Sequence, residues 1–247
     1  MHLGFCSIYN YLRGDKHKRY FMKKSIIACL LCLCAGFASA QTRWYNPMQA
    51  EGRVVEGQGW YEELSGSYNR LPDRIREKIR PSLWNLSTHS AGLSVLFRTD
   101  APSITVRYSV SGEKDMEHMP ATGVSGVDLY VMNETDGEWH FTARDIDWRF
   151  GDTIRYTFRY AGEDLHEYRL YLPLYNHVEW LEVGVDSTMQ FEWVPCDDAC
   201  PIVAYGTSIL QGGCASRPGM AWTNVLSRRL QYPLINLGFS GNGQMDP

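Results

Sequence analysis

Two stretches of this chain alternate with a period of two, and no other feature restricts its fold as much. Ile104, Val106, Tyr108 and Val110 are separated by Thr105, Arg107 and Ser109, and Ile154, Tyr156, Phe158 and Tyr160 by Arg155, Thr157 and Arg159. Successive side chains of a strand point to opposite faces, so each run predicts a half-buried antiparallel strand. Further strand segments are Leu93 to Arg98, Val127 to Met132, Trp139 to Arg144, Tyr168 to Leu174, Leu181 to Val185 and Phe191 to Val194. About eight strands with one apolar face each call for two sheets packed on each other, an all-β sandwich or jelly roll over residues 41–198. One helix is expected inside it, opened by Pro72, running through Arg80 and stopped by Pro81.

Composition agrees with a packed domain: of 247 residues 44% are hydrophobic and 21% charged, which excludes a disordered or collagen-like chain. The formal charge is −4, but residues 1–40 hold six Lys and Arg against one Asp, leaving 18 against 27 in the rest. Such an acidic body argues against a nucleic-acid partner. Seven of the eight Trp lie between residues 41 and 195, where Trp180 and Trp193 read as core or sheet-edge packing rather than sugar platforms. His118 and the alternating Glu113, Asp115 and Glu117 read as solvated loop residues.

The first forty residues read as an address. Met22-Lys23-Lys24, the apolar run Ile26 to Phe37 and Ala38-Ser39-Ala40 follow the charged, apolar, small-residue order of a signal peptide over residues 22–40, with cleavage after Ala40. The apolar run is well short of the roughly 20 residues that span a bilayer, so no transmembrane anchor is expected. Residues 1–21 read as a spurious or extended leader before a start at Met22. The expected location is the periplasm or the extracellular space. Four of the seven Cys lie in this segment, which leaves Cys196, Cys200 and Cys214 in an oxidising compartment. Cys196 and Cys200 are close enough to pair, and the spacing leaves open whether they do. No metal and no cofactor are expected, since a zinc site would need a fourth ligand and no His follows His177.

After Pro195 the pattern changes. Ile202 to Tyr205 is a short buried-strand run, Gly206-Thr207-Ser208 a turn, Ala221 to Gln231 a helix-period segment, and Leu234 to Leu237 a second strand. Strand, turn, helix, strand opens an α/β sheet, whose reactive groups gather at the carboxyl ends of the strands. Ser208 holds that position. Leu210 stands where the G-x-S-x-G elbow has glycine, so this is not the α/β-hydrolase motif.

Asn236-Leu237-Gly238-Phe239-Ser240-Gly241, at the end of the second strand, completes a pattern that resembles the SGNH (GDSL-like) hydrolases. Upstream, Gly126-Val127-Asp128-Leu129-Tyr130 resembles the G-x-D-L-Y signature of a β-domain that precedes such hydrolases in Bacteroidetes. The resemblance implies that residues 199–247 are the truncated start of an α/β, flavodoxin-like hydrolase domain. It also implies that Ser208 is the nucleophile and that the backbone N–H groups of Ser208 and Gly241 hold the oxyanion. An attacking oxygen and these donors must converge on one carbonyl. Thr207 replaces the Asp of the usual G-D-S block, and its short hydroxyl is expected to bond the backbone of the turn. Trp84-Asn85-Leu86-Ser87 and Met119 to Gly123 also look familial.

The family's late D-x-x-H block, which supplies the catalytic His and Asp, and its third block, which supplies an oxyanion Asn, are absent from this chain. His118, His140, His166 and His177 carry no family precedent as a substitute base. The expectation is therefore a secreted serine esterase that deacylates carbohydrate esters, inactive as the sequence stands, with a small-molecule or glycan ester as its partner. Two alternatives are a non-catalytic glycan-binding sandwich and a lipid acylhydrolase. The oligomeric state is not readable.

Overall fold

A computed structural model describes residues 41–64, 66–146, 151–160, 162 and 164–245. The leader and signal-peptide segments assigned to residues 1–40 lie outside the described residues.

Eleven strands are found between residues 42 and 193 among the described residues: β1 Thr42–Tyr45, β2 Val55–Glu56, β3 Ser94–Thr99, β4 Ser103–Val110, β5 Asp128–Asn133, β6 Glu138–Phe141, β7 Ala143–Ile146, β8 Ile154–Arg159, β9 His166–Tyr171, β10 Val178–Asp186 and β11 Phe191–Trp193. They form two antiparallel sheets, one ordered β1-β10-β4-β8-β7 and the other β11-β3-β9-β5-β6, with β2 added along β3. The alternating residues read from the sequence meet in one core: Ile104, Val106 and Tyr108 with Ile154, Tyr156 and Phe158 from the first sheet, against Val95, Phe97, Leu129 and Leu170 from the second. The expected sandwich is the observed architecture.

The segment read as one strand, Trp139 to Arg144, is two strands in different sheets. Thr142 is buried and its N–H donates to Leu129 O (3.0 Å), so β6 ends on the second sheet and β7 continues on the first. This is a sandwich corner, which alternation alone does not reveal. β1 and β2 were not expected, being too short to show a period. Trp180 stands at a register shift in β10, and Trp193 packs edge-on against Phe191 at 4.9 Å beside the core, in keeping with packing roles.

The expected helix from Pro72 to Arg80 is also different. Asp73–Lys78 is a 3-10 segment, Arg80 is extended (φ −60°, ψ 142°), and Pro81 opens a helix over Pro81–Ser87 instead of ending one. The ring of Pro81 disfavours a helical Arg80, while its missing N–H is no loss in a first turn. Four further helices are Tyr61–Leu64 (α1, with Pro81–Ser87 as α2), Ala121–Val124 (α3), Ser208–Gln211 (α4) and Trp222–Leu230 (α5).

Beyond the sandwich, β12 Ile202–Gly206 and β13 Leu234–Gly238 pair in parallel in the register Gly206↔Gly238, with α4 and α5 between them in sequence. The run Ile202 to Tyr205 was expected to be buried; Val203 is 58% exposed and Ile202 and Tyr205 are exposed as well. The segments flanking the strands are tied to the sandwich by two apolar clusters. One joins Ala91, Met119, Val124, Leu174 and Tyr175 to Ala221, and the other joins Leu71, Leu83 and Trp84 to Phe239. The two segments that looked familial, around Trp84 and Met119, therefore build the seam between sandwich and strand pair. Among the described residues no helix is long and apolar enough to cross a membrane.

Candidate active site

Ser208 follows β12 at its carboxyl end and is the first residue of the single-turn helix α4. It is half-buried, and its hydroxyl has no hydrogen-bond partner among the described residues. The turn closes tightly: Gly212 (φ +108°) and Gly213 both donate their N–H to Ser208 O, at 3.1 and 2.7 Å. Thr207 caps this turn without a side-chain hydrogen bond, so the backbone bond expected of its hydroxyl is not made.

Gly238 ends β13 beside that turn. A Cβ on Gly238 would lie 2.2 Å from Gln211 N, and one on Gly243 would lie 2.1 Å from Gly206 O. Glycine is what lets the two strand ends and α4 approach backbone to backbone. The chain then turns through Phe239 to Gly243, with Gly241 at φ +68°. Its N–H groups can be counted one by one. Gly238 donates to Asn236 Oδ1 (2.8 Å), Phe239 to Gly206 O (2.9 Å), Ser240 to Gln211 Oε1 (2.9 Å), and both Asn242 and Gly243 to Phe239 O (2.8 and 3.0 Å). Gly241 alone in this run has an N–H with no acceptor among the described residues.

The sandwich holds this end of the strand pair with groups that the sequence did not single out. Tyr175 Oη donates to Ser208 O (3.3 Å), and burial raises its pKa. The wholly buried Arg70 donates to four carbonyls, His89 O (2.8 Å), Leu86 O (2.6 Å), Asn236 O (3.1 Å) and Gly238 O (2.7 Å), and its guanidinium lies 4.8 Å from the Phe239 ring centroid. Burial lowers the Arg70 pKa to about 9, with Tyr175 opposing. Arg80 and Ser82 both donate to Asn242 Oδ1, each at 2.8 Å. His89 accepts at Nδ1 from Gln211 Nε2 (3.2 Å); burial, followed by Arg70 and His177, pushes its imidazole down to about 4, so it is neutral at pH 7.

The other histidines are occupied or distant. His140 pairs with Asp136 at 2.8 Å, His177 contacts Thr88 O at 3.1 Å, His166 stands edge-on to Tyr160, and His118 is exposed; none contacts Ser208 among the described residues. Glu113, Asp115 and Glu117 are exposed as well. Cys196, Cys200 and Cys214 are free thiols.

The G-x-D-L-Y run forms a second clamp on the same segment. Asp128 is 0% exposed; its Oδ1 accepts from Arg144 (2.5 Å) and its Oδ2 from Arg217 (3.0 Å) and from Gly219 N (2.9 Å). Arg217 also reaches Tyr130 Oη (3.0 Å), and a Cβ on Gly219 would meet the Tyr130 ring at 2.4 Å. Leu129 points into the sandwich core, and Gly126 is packed against Thr122 O and Tyr156 Oη. The signature thus ties the sandwich to the loop between α4 and α5.

An antiparallel sandwich is thus clamped to a parallel strand pair with a serine at the strand ends. Comparison with known proteins makes this specific: residues 42–191 match the family described as the N-terminus of SGNH-hydrolase-type esterases with the G-x-D-L-Y signature, and residues 199–247 match the GDSL-like lipase/acylhydrolase family. The chain belongs to the G-x-D-L-Y family of SGNH-type esterases. A Bacteroides ovatus protein provisionally described as a GDSL-like lipase is 32% identical, with a TM-score of 0.75 over 83% of this chain and 59% of its own. The salicylyl-acyltransferase SsfX3 from a tetracycline biosynthetic pathway shares the fold, at 21% identity and a TM-score of 0.58 over 83% of this chain and 56% of its own. The chain therefore spans less than two thirds of the length of either. No curated protein matches it.

Proposed function

We propose that residues 199–247 carry the nucleophile half of an exported serine ester hydrolase. Ser208 Oγ would attack the carbonyl carbon of an ester, and its proton would pass to a base. The resulting oxyanion would be held by the N–H groups of Ser208 and Gly241. Collapse would expel the alcohol, which takes up the proton, and water would then release the acid from Ser208. The observation that carries this reading is the hydrogen-bond inventory of residues 238–243, in which every N–H but that of Gly241 is used within the protein.

In this reading the base and the third block come from further chain packed against β12, whose Val203 and Tyr205 share an exposed face. Without a base the serine hydroxyl is a weak nucleophile, and none of the described histidines contacts it. Export through residues 22–40 and deacylation of carbohydrate esters belong to the same proposal; they rest on the signal-peptide pattern and the family resemblance.

The test is hydrolysis of para-nitrophenyl acetate by the chain with and without added imidazole as an external base. Measured above the hydrolysis that imidazole alone gives without protein, the reading expects no Ser208-dependent turnover without imidazole and turnover with it that Ser208→Ala removes. Protein-dependent turnover above that background that survives Ser208→Ala would overturn the assignment. Acetylated xylose compared with long-chain acyl esters would separate a carbohydrate esterase from a lipid acylhydrolase.

A further inference from the structure

We infer that Gln211 is the positioning residue of the Phe239–Gly243 turn, and that the sandwich aims it through His89 and Leu174. The significance of this role rests on the proposed function, since the turn matters for catalysis only if Gly241 N–H receives an oxyanion.

Gln211 sits in a one-turn helix, yet it is 0% exposed. A side-chain amide offers two N–H donors and one carbonyl oxygen. All are used. Nε2 donates to Leu174 O (3.1 Å) and to His89 Nδ1 (3.2 Å), while Oε1 accepts from Ser240 N (2.9 Å). Rotating the amide by half a turn would set its NH2 against the Ser240 N–H and its oxygen against the Leu174 carbonyl. The orientation is therefore fixed by two groups of the sandwich and read out at one N–H of the turn.

This arrangement chooses which N–H is left free. Ser240 and Gly241 are neighbours, and only the first has an acceptor within the protein. If Gln211 released Ser240, the turn could rotate and the Gly241 N–H would lose its fixed direction, which electrostatic stabilisation of an oxyanion requires. His89 must accept at Nδ1 to hold the amide, so its proton belongs on Nε2.

Hydrogen exchange on the full chain tests this without turnover, so its outcome is separable from that of the Ser208 assignment. Gln211→Met should raise the exchange rate of the Ser240 amide about tenfold, the effect of one lost hydrogen bond, and leave the β12–β13 ladder amides unchanged. His89→Ala should raise it as well. His89→Asn should restore the wild-type rate, because its Oδ1 takes the place of Nδ1 as an acceptor. Should Gln211→Met unfold the strand pair, the comparison of His89→Ala with His89→Asn carries the same test. An unchanged Ser240 rate in folded Gln211→Met would overturn the inference, as would failure of His89→Asn to restore what His89→Ala removes.

Discussion

Arg70 is the residue on which most of the site's backbone converges. Its charge is buried with four carbonyls and one aromatic ring around it and no carboxylate partner among the described residues, so removing it strands four acceptors instead of one partner. Arg70→Met is expected to destabilise the protein by about 3 kcal/mol or more, read as a lower urea midpoint at unchanged slope. Arg70→Lys should recover little, because an ammonium cannot fork to carbonyls on separate segments. His89 sets a pH dependence. Its folded pKa of about 4 lies below its ordinary 6.5, so between these values the unfolded chain binds a proton that the folded chain refuses. This contribution to stability is complete above pH 6.5 and is lost as pH falls to about 4, at up to about 1.4 kcal/mol per unit. Urea midpoints of wild type and His89→Asn should diverge across that window. Ser208 and Gly241 were readable as candidates because each lies in a short backbone motif. His89, Gln211 and Arg70 were not, since their partners lie 122 and 166 residues away and no local pattern marks them.

At the scale of elements, the G-x-D-L-Y signature acts as a joint. Its glycine gives room, its leucine fills the core, and its Asp and Tyr grip residues 217–219 of the following segment. Asp128→Ala would leave Arg144 and Arg217 without their shared acceptor and is expected to cost about 3–5 kcal/mol by chemical denaturation. Gly219→Ala, which drives a methyl into the Tyr130 ring, should cost about 1–3 kcal/mol through overpacking. Strand alternation was legible because burial on one face writes itself into every second residue. The sandwich corner at Thr142 and the reversed role of Pro81 were not. The first depends on which sheet each half joins, and the second on a proline being equally suited to following a helix and to starting one.

For residues 42–245, sandwich and strand pair share two apolar clusters and both clamps, so they should behave as one body. A protease site inserted between Asp198 and Ala199, in the segment that joins them, should leave the two pieces associated on size exclusion after cleavage. Separation would mean that the seam contributes little, and would favour a detachable binding module. Val203 and Tyr205 of β12 are exposed on one face, against which the proposed base-bearing layer would pack. Exposure of that face could not be read from the run Ile202 to Tyr205, because a strand buried on both faces and one awaiting a partner have the same composition.

Whether Ser208 is a nucleophile is decided most directly by finding where an acyl group attaches. The full chain would be incubated with para-nitrophenyl acetate and imidazole, quenched in acid, and digested for mass spectrometry. The account predicts an acetyl group on the Ser208 peptide that requires imidazole and is absent from Ser208→Ala. Acetylation confined to other residues, with Ser208 unmodified, would contradict it.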